Sequence, residues 1–339
     1  MQTWNESITA LLKSRNWDLK DLRHATKLDQ RALEALINSD TSDLPKENLD
    51  NIYNLAKEGS VSGMIKSGQP IIIAIWAHKG GTGKSTSTIN LSYSLAKRGY
   101  NVLAIDTDSQ SDLSSVLLPN YMDDPGKNFY VAFSMHDDFL DDGYIRTTDY
   151  PGLDIICGSE ACEALEGTLC ATPEDFRKVI WKKCLRGIRR ENFYDFILID
   201  MDKTAGMVNS YALSEADYVV APVEPSLFSA KSIIGLQTHL EEVSKTRSDG
   251  KSTNLLGMFY NKVDLRKRKS FEDNIRLVDQ LLEGKLFSTY ISADANVENS
   301  QAEHLPVGYY NPRTKASLQT ENLTDEILER IQAAANSNT

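Results

Sequence analysis

Residues 70–77 read PIIIAIWA, an isoleucine-rich apolar run, and the chain continues without a break into HKGGTGKST. Such a run suits a strand buried on both faces of a parallel sheet. Gly80, Gly81 and Gly83 then let the backbone turn its N–H groups inward around an anion, and the residues after them open a helix whose N-terminus points at the same place. Strand, glycine-rich loop and helix in this order end a G-x-x-x-x-G-K-[ST] phosphate loop, in which Lys84 reaches the outer phosphates of a nucleotide and Ser85 ligates Mg²⁺. The loop commits the chain to an α/β architecture, because parallel strands need helical crossovers and ligands collect at their carboxyl ends. Lys79, just ahead of the glycines, is surplus to that chemistry.

The rest of the chain fits this architecture. Strand-like runs recur at 100–106 (YNVLAID), 152–157 (GLDIIC), 194–200 (YDFILID), 217–223 (DYVVAPV) and 254–261 (NLLGMFYN), with helical stretches between most of them. This alternation predicts a doubly wound, mostly parallel α/β domain over residues 71–339. Ahead of it, residues 1–58 carry apolar positions at helical spacing, among them Leu19, Leu22, Leu28, Leu33 and Leu36, which predicts a small all-helical unit. Residues 59–70, GSVSGMIKSGQP, read as a linker.

Bulk properties narrow the function. No apolar run approaches the roughly 18–20 residues of a membrane span, and the N-terminus lacks a basic start and apolar core, so a cytoplasmic protein without membrane contact is expected. The formal charge of −11 argues against a surface that coats nucleic acid throughout, which confines DNA contact to local basic patches. The four cysteines show no C-x-x-C spacing and are expected to be reduced structural thiols.

KGGTGKST resembles the deviant Walker A motif of the ParA/MinD family of dimeric ATPases. The likeness continues through VLAIDTDSQSDLS, YDFILIDMD, APVEPSLFSAKSIIGL, FYNKVDLRKRKS and PVGYYNPRTK, and so spans residues 71–330. The resemblance implies ATP and Mg²⁺ as ligands, held by Lys79, Gly80, Gly81, Thr82, Gly83, Lys84, Ser85 and Thr86, and a homodimer that forms on ATP binding. It makes Lys79 the residue that reaches across the dimer to the partner's nucleotide, as an arginine finger does. Asp108 inherits the role of orienting the attacking water, with Gln110 nearby, and Asp200 that of holding Mg²⁺ through water. Asp106 is a second residue for the metal's water shell, since strand alternation places it on the same side as Asp108. Two departures stand out: Ser109 replaces the usual proline, and DMDKTAG follows the strand where the family commonly reads Asp-x-Pro-Pro.

Asn261 is placed near the base. The NKVD stretch also matches the guanine-specifying N-K-x-D of related GTPases through Asp264, so GTP stays open beside ATP. Arg266, Lys267, Arg268 and Lys269 form a basic run, with a second at Lys182, Lys183, Arg186, Arg189 and Arg190, and ParA-like dimers bind DNA without sequence preference through basic surfaces. The N-terminal unit resembles a helix-turn-helix, with Gln30 and Arg31 at the start of its recognition helix, although Arg23, Lys27 and several aspartates depart from that motif. These implications point to a nucleoid-associated partition ATPase that acts with a ParB-like adaptor protein and binds DNA, operator DNA included. Positioning of a non-DNA cargo and a nucleotide-switched transcriptional regulator are the alternatives.

Overall fold

In the computed structural model of the chain, residues 22, 68–141, 143–225, 228–245, 247, 252–264, 266, 279–280 and 282–337 are described. The expected helical unit at 1–58 and the linker ahead of residue 68 thus lie outside the described residues, Leu22 excepted.

The strand-like runs form β1 (Ile71–Ile75), β2 (Val102–Asp106), β4 (Leu153–Ile156), β5 (Phe196–Asp200), β6 (Tyr218–Val223) and β7 (Asn254–Tyr260). A two-residue strand, β3 (Arg146–Thr147), was not legible because it is too short to show a period. The sheet order is β3-β4-β2-β5-β1-β6-β7, parallel throughout except where β3 runs antiparallel to β4. β1 lies between β5 and β6, and β5 pairs with β2 on its other edge, so Ile75 and Asp106 both stand beside Asp200 at one end of the sheet. The ligand-bearing strand ends are therefore level.

Helices cover both faces, and the strand residues alternate between two cores. Ile72, Ala74, Leu103, Ile105, Ile197 and Ile199 face one core with Trp181, Phe129 and Leu240. Ile73, Ile75, Val102, Ala104, Phe196 and Leu198 face the other with Leu91, Leu95, Leu323 and Ile327. The first face is packed by α3 (Phe129–Met135), α4 (Leu165–Ala171), α5 (Met207–Glu215) and α6 (Phe228–Ser244), the second by α1 (Lys84–Lys97), α2 (Asp112–Leu117) and the long α8 (Lys315–Ser337), while α7 (Ala295–Ala302) lies between β7 and α8 in the chain. Each Ile or Leu sealed in this way contributes about 1.5–3 kcal/mol relative to exposure, enough to hold the strand ends rigid. All four cysteines are free thiols. Among the described residues no helix is long and apolar enough to cross a membrane.

Candidate functional site

The turn from β1 into α1 is set by glycine. Gly81 and Gly83 have φ of +79° and +89°, in the left-handed region that residues with a Cβ enter at a cost of about 1–2 kcal/mol. Gly83 has a second reason to lack a side chain: a Cβ there would stand 2.3 Å from Asn261 Nδ2. That amide donates to the Thr82 carbonyl at 2.8 Å, and Lys262 Nζ donates to the Gly81 carbonyl at 2.6 Å. The end of β7 thus braces the loop from the side, leaving its amides to face a cleft of about 720 Å³.

Lys84, Ser85 and Thr86 line this cleft from α1, Asp108 and Gln110 from the loop after β2, and Asp202, Lys203 and Thr204 from the loop after β5. Lys84 is buried, and desolvation pulls its ammonium below the ordinary lysine pKa against the opposing charges of Asp200, Asp202 and Asp108. Asp200 ends β5 fully buried. Burial, and then the charge of Asp106, raise its carboxyl well above the usual range, while the Ser85 hydroxyl and Lys84 pull the other way. Thr88 donates to Asp200 Oδ1 at 3.3 Å, and Oδ2 is sealed from solvent with no donor among the described residues. A buried carboxylate oxygen without a donor fits a hydrated cation held between Ser85 and Asp200, which would supply the missing positive charge.

The loop after β5 is fixed from three sides. Trp76 Nε1 donates to the Asp202 carbonyl at 3.1 Å, and Asn209 Nδ2 donates to the carbonyls of Asp202 (3.1 Å) and Thr204 (2.7 Å). Glu166 of α4 accepts from the Met207 and Val208 amides at 3.0 and 2.9 Å, capping α5, and Gly206 leaves room for it, since a Cβ there would lie 2.2 Å from its Oε1.

Residues 71–253 match the family model of the AAA domain. Over 262 residues the chain is 27% identical to the sporulation initiation inhibitor protein Soj of Bacillus subtilis, covering 76% of this chain and 97% of that one. The chromosome-partitioning ATPase Soj of Treponema pallidum is 28% identical over 258 residues, 74% of this chain and 94% of its own. The chain belongs to the ParA/MinD family of P-loop ATPases. Its fold is that of the septum site-determining protein MinD complexed with Mg-ADP from Pyrococcus horikoshii, with a TM-score of 0.59 at 23% identity over 80% of this chain and 99% of that one.

In this member of the ParA/MinD family, the residues singled out from the sequence separate into groups. Gly80, Gly81, Gly83, Lys84, Ser85, Thr86 and Asp108 line one cleft. Thr82 is buried under it, its carbonyl held by Asn261. Asn261 therefore serves the loop through its amide; it also borders a neighbouring hollow of about 340 Å³ with Ser292, Asp294 and Gln301. Lys79 does not line the cleft: it is half-exposed, and its Nζ meets Glu224 at 2.8 Å.

Asp106 departs from the expected placement beside Asp108. β2 ends at residue 106, so the two-residue alternation stops there: the Asp108 amide bends back onto Asp106 Oδ1 at 3.1 Å, and Oδ2 accepts from the Ser114 amide (2.9 Å) and hydroxyl (2.6 Å). Burial lifts the Asp106 carboxyl to about 7 in spite of the Ser114 hydrogen bonds. It organises the loop that carries Asp108 and does not itself line the cleft.

Asp264, the guanine-reading candidate, is gripped at both oxygens by the exposed Arg266, at 2.8 and 2.9 Å. Lys267, Arg268 and Lys269 lie outside the described residues, as do Gln30 and Arg31. The arginines of the second basic run meet carboxylates: Arg189 pairs with Glu215, Arg190 with Glu191, and Arg186 with Asp138. Four participants were missed from the sequence: Lys203, Glu166, Lys262 and His78. The last stands where the phosphate-loop pattern opens with glycine, its ring 4.4 Å from Trp76 and 5.9 Å from His239. Lys203 and Lys262 sit in stretches already quoted; Glu166 gave no signal, because a lone glutamate in a helix is usually a solvated residue.

Proposed function

We propose that the chain is an ATP- and Mg²⁺-dependent ATPase that dimerises on ATP, binds DNA without sequence preference as the dimer, and drives partition of plasmid or chromosomal DNA with a ParB-like adaptor protein. Lys84 holds the outer phosphates, Ser85 and Asp200 hold the hydrated Mg²⁺, and Asp108 orients water toward the γ-phosphate. ATP is favoured over GTP because Arg266 occupies the carboxylate of Asp264 that would read guanine. The run 266–269 supplies the DNA-facing charge and places the dimer on the nucleoid in the cytoplasm; the helical unit at 1–58 adds operator binding through Gln30 and Arg31.

The observation that carries this reading is the contrast between two lysines five residues apart. Lys84 is buried in its own cleft, whereas Lys79 does not line that cleft, is exposed, and among the described residues pairs with Glu224. A lysine so placed is available to the nucleotide of a second subunit, where its charge would stabilise the transition state. Sedimentation with saturating ATP tests this: Lys79→Ala is expected to remain monomeric while still binding ATP. A full-strength dimer of that variant would refute the cross-subunit role.

A further inference from the structure

Among the described residues, one cation of the cleft has no role in the family pattern. Lys203 stands in the loop after β5, at a place where the family commonly has proline. Its backbone is held on both sides: the Asp202 carbonyl accepts from Trp76 and Asn209, the Thr204 carbonyl accepts from Asn209, and the Lys203 amide donates to Asp202 Oδ1 at 2.5 Å. The side chain reaches the first glycine of the phosphate loop. A Cβ on Gly80 would stand 3.3 Å from Lys203 Cδ.

Lys203 lines the cleft with Lys84 and Asp108, near enough for its charge to act on the Lys84 ammonium. Among the described residues Lys203 makes no ion pair, and Glu166, which also lines the cleft, is occupied in capping α5. The third lysine on the cleft, Lys262, is bound to the Gly81 carbonyl. A cation beside Gly80 of a phosphate loop, without an ion-pair partner among the described residues and anchored on the loop that follows Asp200, fits a group whose natural partner is an anion in the cleft.

We propose that Lys203 is a further catalytic residue of the ATPase, contacting the γ-phosphate from within the same subunit. It approaches over Gly80, from the loop after β5, while Lys84 approaches from α1. Lys203 therefore reports a triphosphate to that loop, and a diphosphate leaves it without its anion. Its charge also gives the isolated subunit a γ-phosphate contact that does not wait for the partner's lysine.

This inference rests on the reading of the cleft as a nucleotide site, and the test separates the two. Direct titration with ADP and with the non-hydrolysable β,γ-imido analogue of ATP, each with Mg²⁺, is carried out on the parent, Lys203→Ala, Lys203→Arg and Lys84→Ala. For Lys203→Ala, ADP affinity is expected to stay within about twofold, which also reports an intact fold, while the analogue weakens roughly ten- to a hundredfold, the range for a hydrogen bond to a charged group. Lys203→Arg is expected to recover most of that loss. An unchanged ratio of analogue to ADP affinity in Lys203→Ala, or an equal loss of both ligands, overturns the γ-phosphate role. If Lys84→Ala binds both nucleotides like the parent, the nucleotide reading itself falls.

Discussion

The loop after β1 and the loop after β5 stand side by side at the same end of the sheet, yet they reach their shapes by different means. The first takes its turns from its own residues, Gly81 and Gly83 supplying the left-handed geometry before α1 begins, and is braced from outside by Asn261 and Lys262. The second has no such local code. The carbonyls of Asp202 and Thr204 are held by Trp76, just after β1, and by Asn209 of α5, while Glu166 of α4 caps α5 behind them, so packing around the loop decides where Asp202 and Lys203 stand. A phosphate cradle can thus be written locally, whereas the segment facing it takes its shape from its neighbours.

Three substitutions can break or sharpen this contrast. The largest effect is expected from Lys84→Ala, which removes the buried cation of the first loop and leaves the glycine turns intact. Nucleotide affinity measured by titration should fall by roughly a hundredfold or more with little change in the thermal midpoint. Affinity within a few-fold of the parent would mean that the cradle does not depend on its own lysine.

Gly83→Ala attacks the shape of the first loop. An alanine at φ +89° is strained, and its Cβ collides with the amide that holds Thr82, so a loss of about 2–4 kcal/mol in unfolding free energy is expected. A denaturation curve close to the parent would show that Asn261 moves aside at no cost.

Glu166→Gln is expected to have the smallest effect. The amide can still accept one hydrogen bond but loses the charge that faces the N-terminus of α5, so stability should drop by about 1 kcal/mol. Hydrogen exchange should quicken at residues 202–208 and stay unchanged at 80–86; equal changes in both stretches would erase the distinction between the loops.

What was legible from the sequence follows the same division. β1, β2 and β4 to β7 were visible because strands buried on both faces must be continuously apolar, and the phosphate loop because glycine is needed where φ is positive. Asp200 was legible as a residue at a strand end and Asp108 as one just beyond a strand, where open sheets bind ligands. β3 was not, since a pair of residues carries no period. Asp106 was misplaced because alternation holds only while the chain is a strand, and its carboxylate found Ser114 once the strand ended.

The sequence alone therefore determined the doubly wound sheet, the phosphate loop and the family, all of which rest on patterns within a few residues. Tertiary structure decided where each lysine stands. Lys79, Lys84, Lys203 and Lys262 are chemically identical in the sequence. Lys84 is drawn into the cleft by the helix it starts, Lys262, itself left-handed just after β7, is bent onto Gly81, Lys79 meets Glu224, and Lys203 is laid over Gly80. A flexible side chain takes its function from the charges and walls around it, and those come together only when distant segments pack.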